Sequence, residues 1–197
     1  MITLYHRPKT RSTRFIWLLE ELGAPYEIKE VTTRTREGGA PDPANPHPHG
    51  KVPAIADDGQ VVFESPAIAL YLTDKFPTAG IGPAIGDATR GAYLSWLVYY
   101  GSALEPALMS KFMNVAVPVG TAGWVELGPT IDALVKQLSA GPFMLGAKFS
   151  AADVLYASTF AMFGASPIMP KSPVIDGYVA RCLERPAYAR AAAKEAA

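Results

Sequence analysis

The sequence predicts an α+β chain: a short βαβ–ββα unit followed by an all-helical bundle. Three observations carry that expectation. Strand and helix signals alternate from Ile2 to Lys75. A break crowded with proline and glycine, Phe76-Pro77-Thr78-Ala79-Gly80-Ile81-Gly82-Pro83, then interrupts the chain, and beyond it no stretch reads as a strand. The expected division is a first domain over residues 1–76, a linker over 77–86 and an all-α domain over 87–197.

The elements follow from local chemistry. Ile2 to Tyr5 reads as a strand, and Thr13 to Leu22 as a helix with Phe15, Leu18, Leu19 and Leu22 on one face. Gly23 and Pro25 stop that helix, and Tyr26 to Val31 completes a βαβ unit with parallel pairing. Arg34 to Gly50, rich in glycine, proline and histidine, predicts a loop. Val52 to Ala56 and Gln60 to Phe63 flank Asp57-Asp58-Gly59 as a hairpin, and Ser65 to Lys75 is the next helix. Helices are then expected at about Asp87 to Met113, Trp124 to Ser139, Ser150 to Gly164, Pro173 to Glu184 and Pro186 to Ala196, with Pro106 and Pro118 kinking or breaking the first stretch.

Composition narrows the function classes. Basic and acidic residues number 18 each, so no net field recruits nucleic acid. Hydrophobic residues make up 49%, which argues against disorder, while the uncharged stretches are too short to span a bilayer. Cys182 is the single cysteine, so no internal disulfide framework exists. Met1 leads directly into a strand signal with no apolar signal-peptide core, and a cytoplasmic protein is expected. His47 and His49 lack metal-ligand spacing with other histidines or cysteines, and no metal is expected.

Two helix starts carry the functional clue. Ser150-Ala151-Ala152-Asp153 places a carboxylate at the third helical position, where it closes a capping box. Ser65-Pro66-Ala67-Ile68, with serine at the N-cap and proline at the first helical position, has isoleucine there instead. Its N–H groups and positive dipole end are left open to an external anion. Glu64 stands beside it, so a ligand carrying a carboxylate and an amine together suits the pair.

These residues resemble the glutathione S-transferase family. The matching segments are Gly50-Lys51-Val52-Pro53-Ala54-Ile55, Glu64-Ser65-Pro66-Ala67-Ile68-Ala69-Leu70-Tyr71-Leu72, Arg14 to Gly23, and Phe149-Ser150-Ala151-Ala152-Asp153. The resemblance, to bacterial theta-like and beta-like members, implies a thioredoxin-like first domain, glutathione as co-substrate, a small apolar electrophile, a homodimer and a detoxifying role. It implies that Val52-Pro53 is cis and presents the Val52 backbone to the peptide. Ser65 would take the γ-glutamyl carboxylate and Glu64 the amine, with Lys51 at the glycyl end and His49 bordering it.

For the thiolate donor the resemblance offers Thr10 first, Ser12 second and Tyr5 third. Thr10 falls where theta-like members carry serine and beta-like members cysteine, and Tyr5 where tyrosine-type members carry their hydroxyl. The same hydroxyls at 10, 12 and 13 also suit plain capping of the first helix. Tyr100 and Phe112 are the expected pocket residues for the electrophile; Tyr100 shares a face with Tyr93 and Trp96, a stripe of the kind that is usually core or dimer contact, and Phe112 lies near the helix end. The alternatives are a non-catalytic glutathione-binding or regulatory protein and a glutathione-dependent isomerase or dehalogenase. A thiol–disulfide reductase is disfavoured, since no cysteine stands in the first loop.

Overall fold

The computed structural model describes residues 1–34, 39–116, 120 and 123–195, so the expectation on Pro118 and the end of the alanine-rich tail lie outside the described residues. The chain forms two compact units, Met1–Gly80 with Arg185–Ala197, and Ile81–Glu184.

The first unit is a four-stranded mixed sheet with helices, the thioredoxin-like arrangement. Its strands are β1 (Ile2–His6), β2 (Tyr26–Glu30), β3 (Ala54–Asp57) and β4 (Gln60–Phe63), in the order β2-β1-β3-β4. Helix α1 (Thr13–Leu22) is the crossover that makes β1 and β2 parallel. It buries Phe15, Ile16, Leu18 and Leu19 completely and ends at Gly23, whose φ of 59° lets its N–H reach the carbonyl of Leu19. The β3–β4 hairpin turns through Asp58 and Gly59, both at positive φ, as a tight antiparallel turn requires. Helix α2 (Ser65–Lys75) is tied back to this hairpin, since the Tyr71 hydroxyl and Lys75 ammonium both donate to the buried Asp57 carboxylate.

The structure regroups one element. The last helix, α8 (Pro186–Glu195), belongs to the sheet unit and not with the helices of the 87–197 segment. Its partners on α1 and β2 explain why. Tyr188 meets Trp17 edge-on at 5.1 Å, and Arg185 forks onto Glu21 through Nε (2.6 Å) and Nη2 (2.7 Å). Arg190, Lys194 and Tyr26 converge on Glu20. Burial alone would raise the Glu20 carboxyl, but hydrogen bonds from Lys194, Arg190 and Tyr26 outweigh it and bring it down to about 2. Helical periodicity placed α8 correctly but could not say what it packs against.

The second unit is helical: α3 (Arg90–Tyr99), α4 (Glu105–Phe112), α5 (Leu127–Ser139), α6 (Ala151–Phe163) and α7 (Pro173–Leu183). A π-helical turn over Tyr100–Leu104 joins α3 to α4. The expected disturbance at Pro106 takes this form, because proline has no N–H to continue the ladder. Helix α5 starts at Leu127, three residues later than expected, because Glu126 is still extended. Tyr93, Tyr100, Tyr156, Phe160 and Tyr178 fill the core. No helix among the described residues is long and apolar enough to cross a membrane.

The capping box at Ser150 and Asp153 is present. The Asp153 carboxylate also accepts from the Met144 N–H (2.7 Å) and the Tyr178 hydroxyl (3.0 Å), so it joins the start of α6 to the preceding loop and to α7. Burial pushes its carboxyl up to about 6 against the pull of these donors. Asp153→Ala leaves buried N–H groups of Met144 and Ser150 without an acceptor and should cost about 3 kcal/mol or more. Thermal unfolding should then drop by about 6–12 °C. An unchanged melting temperature would show that the box does not stabilise this unit.

Candidate active site

The register of three strands brings the expected site residues together. Tyr5 on β1 pairs with Ala54 on β3, and Ala54 pairs with Phe63 on β4. Because β3 is antiparallel to both neighbours, the loop after β1, the Val52-Pro53 peptide before β3 and the Glu64-Ser65 start of α2 all leave the same sheet end. Two strand spacings separate the outer members of this row, about 10 Å, which is the extended reach of a tripeptide.

The loop from Arg7 to Ser12 is held by its own hydroxyls. Ser12 is fully buried, and its Oγ lies 2.8 Å from His6 Nδ1, 2.8 Å from Thr10 Oγ1 and 3.1 Å from the Arg7 N–H that donates to it. It caps nothing with that side chain. Ser12 therefore braces the loop, and its hydroxyl is committed inside the protein. Thr10 is half-buried at the outer end of the chain of hydroxyls, donating 2.7 Å to the Arg7 carbonyl. Tyr5 lies under the ammonium of Lys29, its register neighbour on β2, at 5.6 Å from the ring centre. Of the two loop residues considered, Thr10 is half-buried and Ser12 fully buried.

The residues around Val52-Pro53 are likewise held in place. The Val52-Pro53 bond is cis. Ahead of it, Asn45 Nδ2 donates to the Lys51 carbonyl (3.1 Å), and Asn45 Oδ1 accepts from the His47 N–H (3.0 Å). Gly50 sits at φ 58°, and a Cβ there would meet Pro41 at 2.3 Å, so this close approach admits only glycine. His47 is buried against Phe63, with ring centres 5.3 Å apart, which seats the loop beside the last residue of β4. Lys51 and His49 stay exposed.

The start of α2 differs by one residue from expectation. Glu64, not Ser65, occupies the cap, because the Glu64 carbonyl already accepts the Ile68 N–H at 2.9 Å; Ser65 and Pro66 are the first two helical residues. Glu64 is held at φ 69°, an unusual conformation for a non-glycine residue and of the kind that collects at ligand clamps. No side chain caps this terminus, in contrast with α6. The start of α2 is thus left without a side-chain cap, with Ser65 buried and the Glu64 carboxylate exposed.

Comparison with known proteins agrees with this geometry. Residues 1–74 match the family described as glutathione S-transferase, N-terminal domain. A glutathione transferase from Methylococcus capsulatus superposes over 100% of this chain and 99% of its own with a TM-score of 0.82, at 29% identity. Residues 1–74 therefore carry the N-terminal domain of the glutathione S-transferase family, and the whole chain shares the fold of that solved transferase. A sphingomonad glutathione S-transferase complexed with glutathione is 28% identical, with a TM-score of 0.76 and 98% of both chains covered. "Glutathione S-transferase 3" of Schizosaccharomyces pombe is 38% identical over 112 residues, 56% of this chain and 46% of that protein. The match thus spans about half of that relative's length.

Two residues expected in the pocket are placed differently from each other. Tyr100 is 1% exposed, and its hydroxyl is shared between Glu105 and Thr159. It is core, because Tyr93, Leu97 and Tyr100 continue one buried helical face and its hydroxyl reaches α4 and α6. Phe112, at the end of α4, is exposed. An open cleft of about 610 Å³ lies near that helix end, lined by Ala107, Lys111, Asn114, Leu127 and Ile168 among others. Sequence reasoning missed His6 and Glu195: Glu195 Oε1 accepts from the Lys9 N–H and the Thr13 hydroxyl, both at 2.7 Å, and Oε2 lies 3.4 Å from His6 Nε2. No local pattern could signal a contact spanning more than 180 residues.

Burial lowers the His6 pKa below its ordinary 6.5, and the carboxylates of Glu195 and Glu30 only partly oppose this. The folded protein therefore resists protonation that the unfolded chain accepts, so His6 costs stability as pH falls below 6.5. The stability advantage of wild type over His6→Asn at pH 7.5 should narrow on acidification through pH 6 in chemical denaturation. Groups common to both proteins, His47 among them, cancel in the difference. Parallel curves would mean that His6 does not titrate in this way.

Proposed function

We propose that this protein is a cytoplasmic, homodimeric glutathione transferase that activates the thiolate of glutathione and conjugates it to a small apolar electrophile in detoxification. The observation that carries the reading is the row Tyr5–Ala54–Phe63, which gathers a hydroxyl loop, a cis-proline edge and an uncapped helix start within the reach of one tripeptide. In this reading the Val52 backbone pairs with the peptide as an added strand. Ser65 and the first N–H groups of α2 hold the γ-glutamyl carboxylate, Glu64 holds the amine, and Lys51 with His49 faces the glycyl end. Thr10 donates its hydroxyl to the sulfur, turning away from the Arg7 carbonyl that otherwise takes it. Phe112 is the residue we assign to the electrophile, on the strength of its exposure.

The remaining assignments have their own support. Leu94 and Val98 lie one turn apart on α3 and are exposed, an apolar pair that suits a second copy of the chain. One buried cysteine and no disulfide suit a reducing compartment. A second reading, binding without activation, is favoured by the hydrogen bond that already occupies Thr10. Turnover with generic electrophiles, measured beside glutathione affinity, separates the two.

Ser65→Ala should weaken glutathione binding by about 1.5–3 kcal/mol, read by calorimetric titration, while the melting temperature stays nearly unchanged. Equal affinity in both proteins would remove the carboxylate from this helix start. Thr10→Ala should leave affinity nearly intact. The bound thiol, ordinarily near 8.5, should titrate about one to two units higher in the mutant than in wild type, equivalent to about 1.4–2.7 kcal/mol. Activity near neutral pH should fall and partly recover in base, with Thr10→Ser retaining most of it. An unchanged thiol titration in Thr10→Ala would transfer the role to another donor.

A further inference from the structure

Nothing in glutathione conjugation calls for a carboxylate behind the first loop, yet one is there. Glu195, at the end of α8, keeps only 17% of its side chain exposed. Placing a carboxylate there costs desolvation, which only well-placed donors offset. Its donors all come from the segment around Thr10. Oε1 takes the Lys9 N–H and the Thr13 hydroxyl, at 2.7 Å each, so one oxygen binds the residue just before Thr10 and another three beyond it. Oε2 faces His6 Nε2 at 3.4 Å. The other nitrogen of that ring meets Ser12 Oγ at 2.8 Å, and Ser12 Oγ meets Thr10 Oγ1 at 2.8 Å. Hydrogen bonds thus join His6, Ser12 and Thr10, and Glu195 Oε2, which makes no hydrogen bond of its own, faces the far side of the His6 ring beside the direct hold of Oε1 on Lys9 and Thr13.

We propose that Glu195 is a positioning residue of the thiolate-activating loop: α8 carries it in to fix the segment His6–Thr13 in the shape that presents the Thr10 hydroxyl. Lys9 is at φ 59°, a left-handed conformation that a lysine adopts only when held, and its N–H is the group Glu195 takes. Glu195 is itself aimed by the docking of α8, through Arg185 on Glu21, Arg190 and Lys194 on Glu20, and Tyr188 on Trp17. The proposal rests on the reading of this loop as the one that meets the sulfur. It does not require that Thr10 be the donating hydroxyl, since the hold is on the loop.

The test compares wild type with Glu195→Ala and Glu195→Gln in the full chain, reading kcat, KM for glutathione and the exchange rate of the Lys9 amide hydrogen. In Glu195→Ala the Lys9 amide should exchange at least about tenfold faster, and kcat should fall about ten- to a hundredfold, while KM for glutathione moves less than about threefold. Glu195→Gln keeps an acceptor oxygen for Lys9 and Thr13 and presents an amide to His6, whose ring can switch tautomer; most of the kcat should return. A residue that only supported folding would show no such split, because loss of folded protein lowers the measured rate without rescuing it in the amide. An unchanged Lys9 exchange rate overturns the proposal, and so does an unchanged kcat despite faster exchange. Thr10→Ala run in parallel separates the two levels. If its thiol titration is unchanged while Glu195→Ala loses kcat with faster exchange, the choice of Thr10 fails and the hold of Glu195 on the loop is supported.

Discussion

Because β3 runs antiparallel to both of its neighbours, the pairing of Ala54 with Tyr5 on one side and Phe63 on the other decides where the chemistry-bearing segments meet. A slip of one residue would turn Ile55 from the buried to the opposite face and carry Val52-Pro53 away from the β1 loop. The register is pinned from several directions. Ile55 and Leu4 are fully buried, the Asp58-Gly59 turn fixes the hairpin, and Tyr71 and Lys75 anchor its Asp57 from α2. The site is therefore a by-product of packing that would be needed in any case. The sheet makes the meeting place, and the loops leaving it supply the functional groups.

At that meeting place the polar groups divide into those that face inward and those that stay exposed. Ser12 spends its hydroxyl on His6, Thr10 and Arg7, and Asn45 spends its amide on Lys51 and His47. Glu64, Lys51 and His49 remain exposed, and the start of α2 remains without a side-chain cap. The contrast between α2 and α6 is the same contrast in another form. Asp153 closes one helix start against ligands and uses it to fasten α7, whereas the other is left open.

What could be read from the sequence was local. Helix α1 runs over Thr13–Leu22 as its apolar spacing and Gly23 dictate, and the capping box follows from Ser150 and Asp153 standing three residues apart. The open start of α2 was expected from Ile68 at the third helical position, but with Glu64 as the cap that position is Ala67, which also has no carboxylate; a backbone at positive φ in a non-glycine residue leaves no mark on residue pattern. Long-range partners were not legible. Nothing near Glu195 announces Lys9, and nothing in the run of alanines around it says that α8 lies on α1. Tyr100 failed as a pocket residue for a related reason. Its spacing placed it on a helical stripe with Tyr93, and that stripe is the buried face of α3, whose partners across the unit the local pattern does not name.

The central claim is that the first loop, held from behind by Ser12, His6 and Glu195, meets the sulfur of a glutathione whose γ-glutamyl end rests on α2. A structure of the protein with glutathione bound tests it most directly. The account predicts the sulfur within hydrogen-bonding distance of Thr10 Oγ1, the γ-glutamyl carboxylate on Ser65 and the N–H groups beside it, and Ser12 still joined to His6. A sulfur lying against Tyr5 or Ser12, or a tripeptide whose carboxylate is not at the start of α2, would contradict it.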